Sequence, residues 1–157
     1  MINNVKPHKM KNRLNSSDRV YVKSFPGATV EDMADYVRPT MKRSPDLIVL
    51  HAGTNNLRDE VPARTIADNV MKLALEMKNE ANDVMVSGLI VRSDDENLNQ
   101  KLLQVNKVLD EECKRYDLCF INHDNISATQ HLNGGGLHLN YQGTSLLASN
   151  FIDHIKL

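Results

Sequence analysis

The sequence predicts an α/β fold organised around a parallel sheet, and three observations point to it. Asp46-Leu-Ile-Val-Leu-His-Ala52 is a nearly unbroken apolar run, the pattern of a strand buried on both faces. Runs of this kind alternate along the chain with segments whose apolar residues recur at helical spacing, as βαβ units do. The run at 46–52 ends in Gly53-Thr54-Asn55-Asn56, a turn that places a side-chain amide at the carboxyl rim of the sheet, where open α/β sheets bind ligands. With 157 residues the chain has the length of one domain, expected to span residues 1–157.

In chain order, residues 1–13 read as a polar, weakly helical opening. Arg19-Val-Tyr-Val-Lys-Ser-Phe25 alternates and is rich in β-formers, so a strand is expected there, ended by the glycine of Phe25-Pro26-Gly27-Ala28-Thr29. Thr29 and Asp32 have the spacing of a capping box, opening a helix with the apolar face Val30, Met33, Ala34 and Val37. Pro39 is expected to end or kink that helix near Val37. After the strand at 46–52, Pro62 and Ala63 open a helix with the stripe Ile66, Val70, Leu73 and Met77. Residues 83–91 read as the next strand, in which Gly88 marks a bulge or a close backbone approach. Asp94, Asp95 and Glu96 suit a helix N-terminus, and Leu98, Leu102, Val105 and Leu109 supply that helix's stripe. Residues 118–121 form the last expected strand. A loop rich in Asn, His and Gly follows to His138, and Leu147, Phe151 and Ile155 define a closing helix with Gly143 in its first turn.

Composition narrows the function classes. Hydrophobic residues make up 41% and charged residues 25%, ordinary for a globular protein. Aromatics are only 4% and Trp is absent, so the core must rest on Leu, Ile, Val, Ala and Met. A net charge of −1 gives no strong overall field. Lys6, Lys9, Lys11, Arg13, Arg19 and Lys23 gather near the start against Asp18 alone. Such a patch suits nucleic acid or an acidic surface, and equally a solvated helix and loop; no aromatic interleaving or RNA-binding motif favours the first. Cys113 and Cys119 fit no metal spacing, nor do His8, His123, His131 and His154. Two thiols cannot staple a secreted mini-domain, so a reduced, cytoplasmic protein is expected. No apolar run has the length of a membrane helix, and no signal-peptide pattern is present.

Three motifs stand in a telling order: Gly27 after the first expected strand, Gly53-Thr54-Asn55-Asn56 after the second, and Gly136-Leu137-His138-Leu139-Asn140 before the last helix. In this order they resemble the SGNH (GDSL) hydrolase family, and the resemblance covers essentially the whole chain. It implies a flavodoxin-like three-layer αβα fold, its parallel strands in the order 2-1-3-4-5. It also implies hydrolysis of a small-molecule acyl ester with no metal and no organic cofactor. In that family the first strand ends in Gly-Asp-Ser, whose serine is the nucleophile. This chain contains no Gly-Asp-Ser. Met1-Ile-Asn-Asn-Val-Lys-Pro7 reads like the continuation that follows the family's serine. The resemblance therefore implies an N-terminally truncated domain that lacks the nucleophile strand and keeps four visible strands. A sheet without its central strand has edges that lack ladder partners, so marginal stability and self-association through exposed edges are expected.

Carried over residue by residue, the resemblance makes His138 the general base and makes Asn55 and the Gly27 N–H the oxyanion donors. Plainer roles also suit them: Asn55 a turn or cap residue, Gly27 a turn after Pro26, His138 a loop histidine. The family's Asp three residues before the base corresponds here to Gly135, although a backbone carbonyl can also orient a His ring. Asn56 stands where relatives often carry Asp and is assigned no role. Ser24 and Ser93 lie near strand ends and Ser87 within a strand, none in a nucleophile turn with a recognisable base. Cys113 and Cys119 read as buried structural thiols, His51 as a packing or hydrogen-bonding residue, and Asp94-Asp95-Glu96 as a charged helix start. Three functions follow: an SGNH-type ester hydrolase that is inactive as written, a non-catalytic binding or assembly module, or part of a retrotransposon-type first-frame protein. The last would stand beside RNA-binding modules, with which the basic opening is compatible.

Overall fold

The computed structural model describes residues 4–15 and 17–156. Its elements are α1 (Pro7–Lys11), α2 (Val30–Tyr36), α3 (Arg38–Met41), β1 (Leu47–Leu50), a 3₁₀ turn (Asn55–Arg58) and α4 (Ala63–Lys78). Then come β2 (Asp83–Ser87), α5 (Glu96–Arg115), β3 (Cys119–Ile121), α6 (Ala128–His131) and α7 (Tyr141–Ile155). They fall into two compact units. One holds Phe25–Ile90 and Asp95–Asn122; the other holds the described residues up to Ser24, Val91–Asp94, and those from His123 onward.

The first unit contains the sheet. Three parallel strands run in the order β1-β2-β3, with Leu50 opposite Val86 and Val86 opposite Phe120. The central strand is the most deeply covered, Val84 and Val86 being fully buried. The stripe Ile66, Val70, Leu73 and Met77 on α4 is buried as its spacing demands, and so are Leu102, Val105 and Leu109 on α5. These two helices pack on each other, with Cys113 Sγ 3.7 Å from Met71 Sδ in their seam. Burying each large apolar side chain is worth about 1.5–3 kcal/mol, whereas an exposed helical ion pair such as Arg64–Asp68 adds only about 0.3–0.5 kcal/mol. The stripes, not the surface charges, therefore decide where the helices lie. Burial pushes the Cys113 thiol up to about 12 and raises the half-buried Cys119 as well, which disfavours the reactive thiolate at both.

Local signals set the boundaries. The Thr29 hydroxyl accepts from the Asp32 N–H and the Asp32 carboxylate accepts from the Thr29 N–H, the expected capping box. Asp32 is held below the usual carboxylate range, chiefly by that Thr29 N–H. Pro39 falls in the first turn of α3, so the chain breaks between Tyr36 and Arg38 as expected. Asp95 caps α5 by accepting from the Leu98 N–H.

One expected strand is absent. Residues 19–25 are not in a strand, so the described sheet has three strands where four were expected. The cause is a ladder, not a propensity: a strand exists only where a neighbour accepts and donates beside it. Among the described residues only β1, β2 and β3 form the sheet, and none of them pairs with this segment. The strand expected at 83–91 is also shorter, ending at Ser87. Gly88 is not a bulge but a close approach. Its N–H donates to the Ile121 carbonyl at 2.9 Å, and a Cβ there would stand 2.9 Å from the Phe120 ring.

The second unit holds α1, α6 and α7. Val5, Met10, Leu139, Leu147, Phe151 and Ile152 are buried in it. Of the opening segment, Met1, Ile2 and Asn3 lie outside the described residues. A polar network runs from the interior to the surface: the buried Asn150 Nδ2 lies 3.0 Å from Nδ1 of the buried His123, and the amides of Asn150 and the exposed Asn125 donate to each other's carbonyl oxygens at 2.8 and 2.9 Å. Among the described residues no helix is long and apolar enough to cross a membrane, and no group of His, Cys, Asp and Glu could hold a metal.

Candidate active site

Phe25-Pro26-Gly27-Ala28 is a β-turn closed by the Ala28 N–H donating to the Phe25 carbonyl at 3.1 Å. Proline fits its second position. The third has φ +80°, which glycine adopts without strain. The turn leaves Gly27 exposed, its N–H without an acceptor among the described residues. Asn55 begins the 3₁₀ turn after β1, and its Nδ2 donates to the Ala28 carbonyl at 2.7 Å. Two loops 27 residues apart in sequence are thereby tied at one corner. An amide nitrogen has two hydrogens, so Asn55 keeps one donor beyond the bond to Ala28.

The clamp beneath this corner is Asn56, which is buried. Its Oδ1 accepts from the Val30 N–H at 2.9 Å, an otherwise orphaned donor in the first turn of α2. Its Nδ2 donates to Glu31 Oε2 at 2.8 Å and to Asp59 Oδ2 at 3.0 Å. The amide bond from Asn56 holds the Glu31 carboxyl below its usual range, and Asn69 donates to the same group. An Asp at position 56 would face two carboxylates with no donor to offer.

The strand ends are also built from polar contacts. Gly53 is buried with φ +111°, a conformation that side-chain-bearing residues rarely adopt, and Ile66, Val70 and Leu89 surround it. Extending the register of Leu50 and Val86 by one residue sets His51 beside Ser87. His51 Nδ1 lies 2.9 Å from Ser87 Oγ. Burial pushes the imidazole down to about 4, so it stays neutral near pH 7 and can accept from the hydroxyl. Ser87 is 1% exposed, which keeps this pair away from any bulky ester. Asn106 of α5 completes the β2 end, accepting from the Leu89 N–H at 2.7 Å and donating to the Leu89 carbonyl at 2.8 Å.

His138 belongs to the second unit, in a loop whose main chain is closed on itself. The Asn133 N–H donates to the His138 carbonyl at 2.7 Å and the Asn140 N–H to the His131 carbonyl at 2.9 Å, with Leu132 and Leu139 bridged between them. A glycine turn at Asn133-Gly-Gly-Gly136 tips the hairpin, and the Gly136 carbonyl accepts from the Ser93 N–H at 2.8 Å. Nearby, the buried Arg92 grips Asp94 through two bonds of 2.7 and 2.6 Å. Asn140 then caps α7, accepting from the Gly143 N–H and donating through Nδ2 to the Gln130 and Leu132 carbonyls. The His138 side chain is exposed and has no hydrogen-bond partner among the described residues. Gly135 is exposed too, and the only atom near a Cβ there is Asn133 Oδ1 at 3.4 Å.

Gly27 and Asn55 are thus brought together, and His138 stands in a separately organised loop. Sequence reasoning assigned no role to Asn56, saw no partner for Ser87 and did not single out Asn106. Only the strand register could have paired His51 with Ser87. The polar neighbours of Asn56 lie up to 26 residues away and carry no local pattern.

The GDSL-like lipase/acylhydrolase family matches residues 3–146, a stretch that runs through both units. Solved structures agree on the fold. An acetylxylan esterase from Geobacillus stearothermophilus matches with a TM-score of 0.78 at 16% identity, over 94% of this chain and 78% of that one. A lipase/acylhydrolase from Enterococcus faecalis matches with a TM-score of 0.71 at 22% identity, over 83% and 71%. A GDSL-like lipase from Bacteroides thetaiotaomicron gives 0.71 at 18% identity, over 83% and 72%. No curated protein matches the sequence.

Proposed function

The chain belongs to the GDSL-like lipase/acylhydrolase family, and from that premise we propose an ester-hydrolase domain that retains oxyanion donors and a base but not the nucleophile. In this reading Gly27 and Asn55 donate to the oxygen that becomes negative during acyl transfer, and His138 moves the proton. The substrate is a small acyl ester, and no cofactor takes part. The attacking serine must come from a Gly-Asp-Ser strand, which these 157 residues do not include. By themselves they do not turn over ester. The observation that supports this reading is the bond from Asn55 Nδ2 to the Ala28 carbonyl, which ties Asn55 to the turn that holds Gly27.

The chain is taken as one domain, residues 1–157, in a reducing, cytoplasmic setting. β1 pairs only with β2 among the described residues, so its outer edge supports self-association. A non-catalytic binding module is the second reading, favoured by Gly135 at the position of the orienting carboxylate and by a His138 ring with no hydrogen-bond partner among the described residues. Membership of a retrotransposon-type first-frame protein is supported only by the basic residues near the start.

A fluorophosphonate probe and p-nitrophenyl acetate test the proposal. The 157-residue chain is expected to show no serine labelling and no hydrolysis above background. A chain extended by a strand ending in Gly-Asp-Ser is expected to gain labelling and hydrolysis that Asn55→Ala lowers about 10²-fold or more. Serine labelling of the unextended chain would overturn the proposal. An extended chain that folds yet stays inactive would decide for the binding module.

A further inference from the structure

The unit of α1, α6 and α7 contains a cavity of about 480 Å³ between α1 and α7. Its floor is apolar: Val5, Met10, Leu139 and Ile152 line it, and all four are buried. Its wall carries three cations, Lys6, Lys9 and Arg13, and no Asp or Glu lines it. Arg13 is already engaged, donating to Ser149 Oγ at 2.7 Å and standing 3.9 Å from Asp153. Lys9 Nζ lies 5.7 Å from the centre of the exposed Tyr141 ring, and Lys6 has no ion pair among the described residues. The cavity therefore presents two ammonium groups without carboxylate partners among the described residues, above an oily floor.

We infer that this cavity binds a small amphiphile with an anionic head and a short apolar tail, such as a medium-chain carboxylate. The head is held by Lys6 and Lys9, which gain a counter-ion they otherwise lack. The tail lies on Val5, Met10, Leu139 and Ile152, where each added methylene is worth about a four-fold gain in affinity. Head and tail must act together. Exposed lysines alone hold a bare anion weakly, and the apolar floor alone does not distinguish an acid from an alcohol. The inference is independent of the esterase reading, because none of the residues assigned to acyl transfer lines the cavity.

Titration calorimetry of the full chain at low salt tests it with four probes: octanoate, 1-octanol, acetate and inorganic phosphate. Octanoate is expected to bind at least about tenfold more tightly than the other three. Lys6→Gln combined with Lys9→Gln removes both ammonium groups and is expected to bring octanoate down to the level of octanol. Ala148→Phe, which narrows the cavity, is expected to weaken octanoate while the melting curve stays cooperative. Equal binding of octanol or of phosphate would overturn the inference, as would octanoate binding that the lysine pair variant leaves unchanged or no octanoate binding at millimolar concentration.

Discussion

The corner at Gly27 and Asn55 and the loop at His138 are organised at different levels. At the corner the functional side chain is itself fixed: Asn55 is bonded to Ala28, and Asn56 beneath it satisfies one backbone donor and two carboxylates. At the loop only the main chain is fixed, through the bonds at Asn133 and Asn140 and the cap on Gly143, while the imidazole has no hydrogen-bond partner among the described residues. A donor for an oxyanion has to be placed before charge develops, which the corner achieves. A general base needs its ring and tautomer set by a neighbour, which the loop lacks. On the proposed assignment, the oxyanion donors are held in place by the corner and the base is not held by the loop.

The most severe way to break the loop is Gly143→Ala. A Cβ at this position would run into the His131 carbonyl oxygen and stand 2.8 Å from the Leu139 side chain, and neither backbone nor packed leucine yields cheaply. A loss of about 3 kcal/mol or more is expected, read as a lowered urea midpoint. The corner has its counterpart in Asn56→Leu, which leaves the Val30 N–H buried and unpaired and removes a donor from Glu31 and Asp59. It is expected to cost about 1–3 kcal/mol. If Asn56→Leu melts like the parent chain, the corner is not preorganised by this clamp and the contrast between the two regions fails.

The sequence made the apolar framework and its punctuation readable. The stripes of α4 and α5, the Thr29–Asp32 box and the break at Pro39 each depend on residues within a turn or two of one another. Two features escaped for one reason, that their partners are distant. Residues 19–25 have strand propensity yet are not in a strand, so propensity alone misled. Asn56, Asn106 and the His51–Ser87 pair are polar residues whose roles depend on groups 17 to 36 positions away. Asn55 could be found because a turn signal coincided with the end of β1, and Gly27 from its Pro-Gly turn alone. Their mutual contact through Ala28 could not.

Acid titration gives a smaller and separable effect at the strand ends. The His51 imidazole is pushed down to about 4 by burial, whereas an unfolded histidine protonates near 6.5. Between those values the unfolded chain binds the extra proton, so stability is full above about pH 6.5 and falls as pH drops toward 4. Glu31, held below its ordinary value, contributes a loss only at more acid pH. The melting temperature is therefore expected to drop between pH 7 and pH 5, and His51→Gln is expected to flatten that slope. A parent chain whose melting temperature is level across this range would mean that the imidazole is not shielded at the rim.

The smallest expected change in stability comes from the substitution that would make the two regions alike. Gly135→Asp places a carboxylate three residues before His138, at an exposed position where a Cβ meets only Asn133 Oδ1 at 3.4 Å. The cost is expected to stay within about 0.5 kcal/mol, as for an unhindered surface site. Its effect should appear in the ring instead. A carboxylate that accepts from one imidazole nitrogen selects a single tautomer, so the two His138 nitrogen shifts in a ¹⁵N spectrum should separate relative to the parent chain. Unchanged shifts would mean that the loop does not aim residue 135 at the ring. The missing orientation of His138 would then lie in the backbone of the glycine run and not in the loss of one carboxylate.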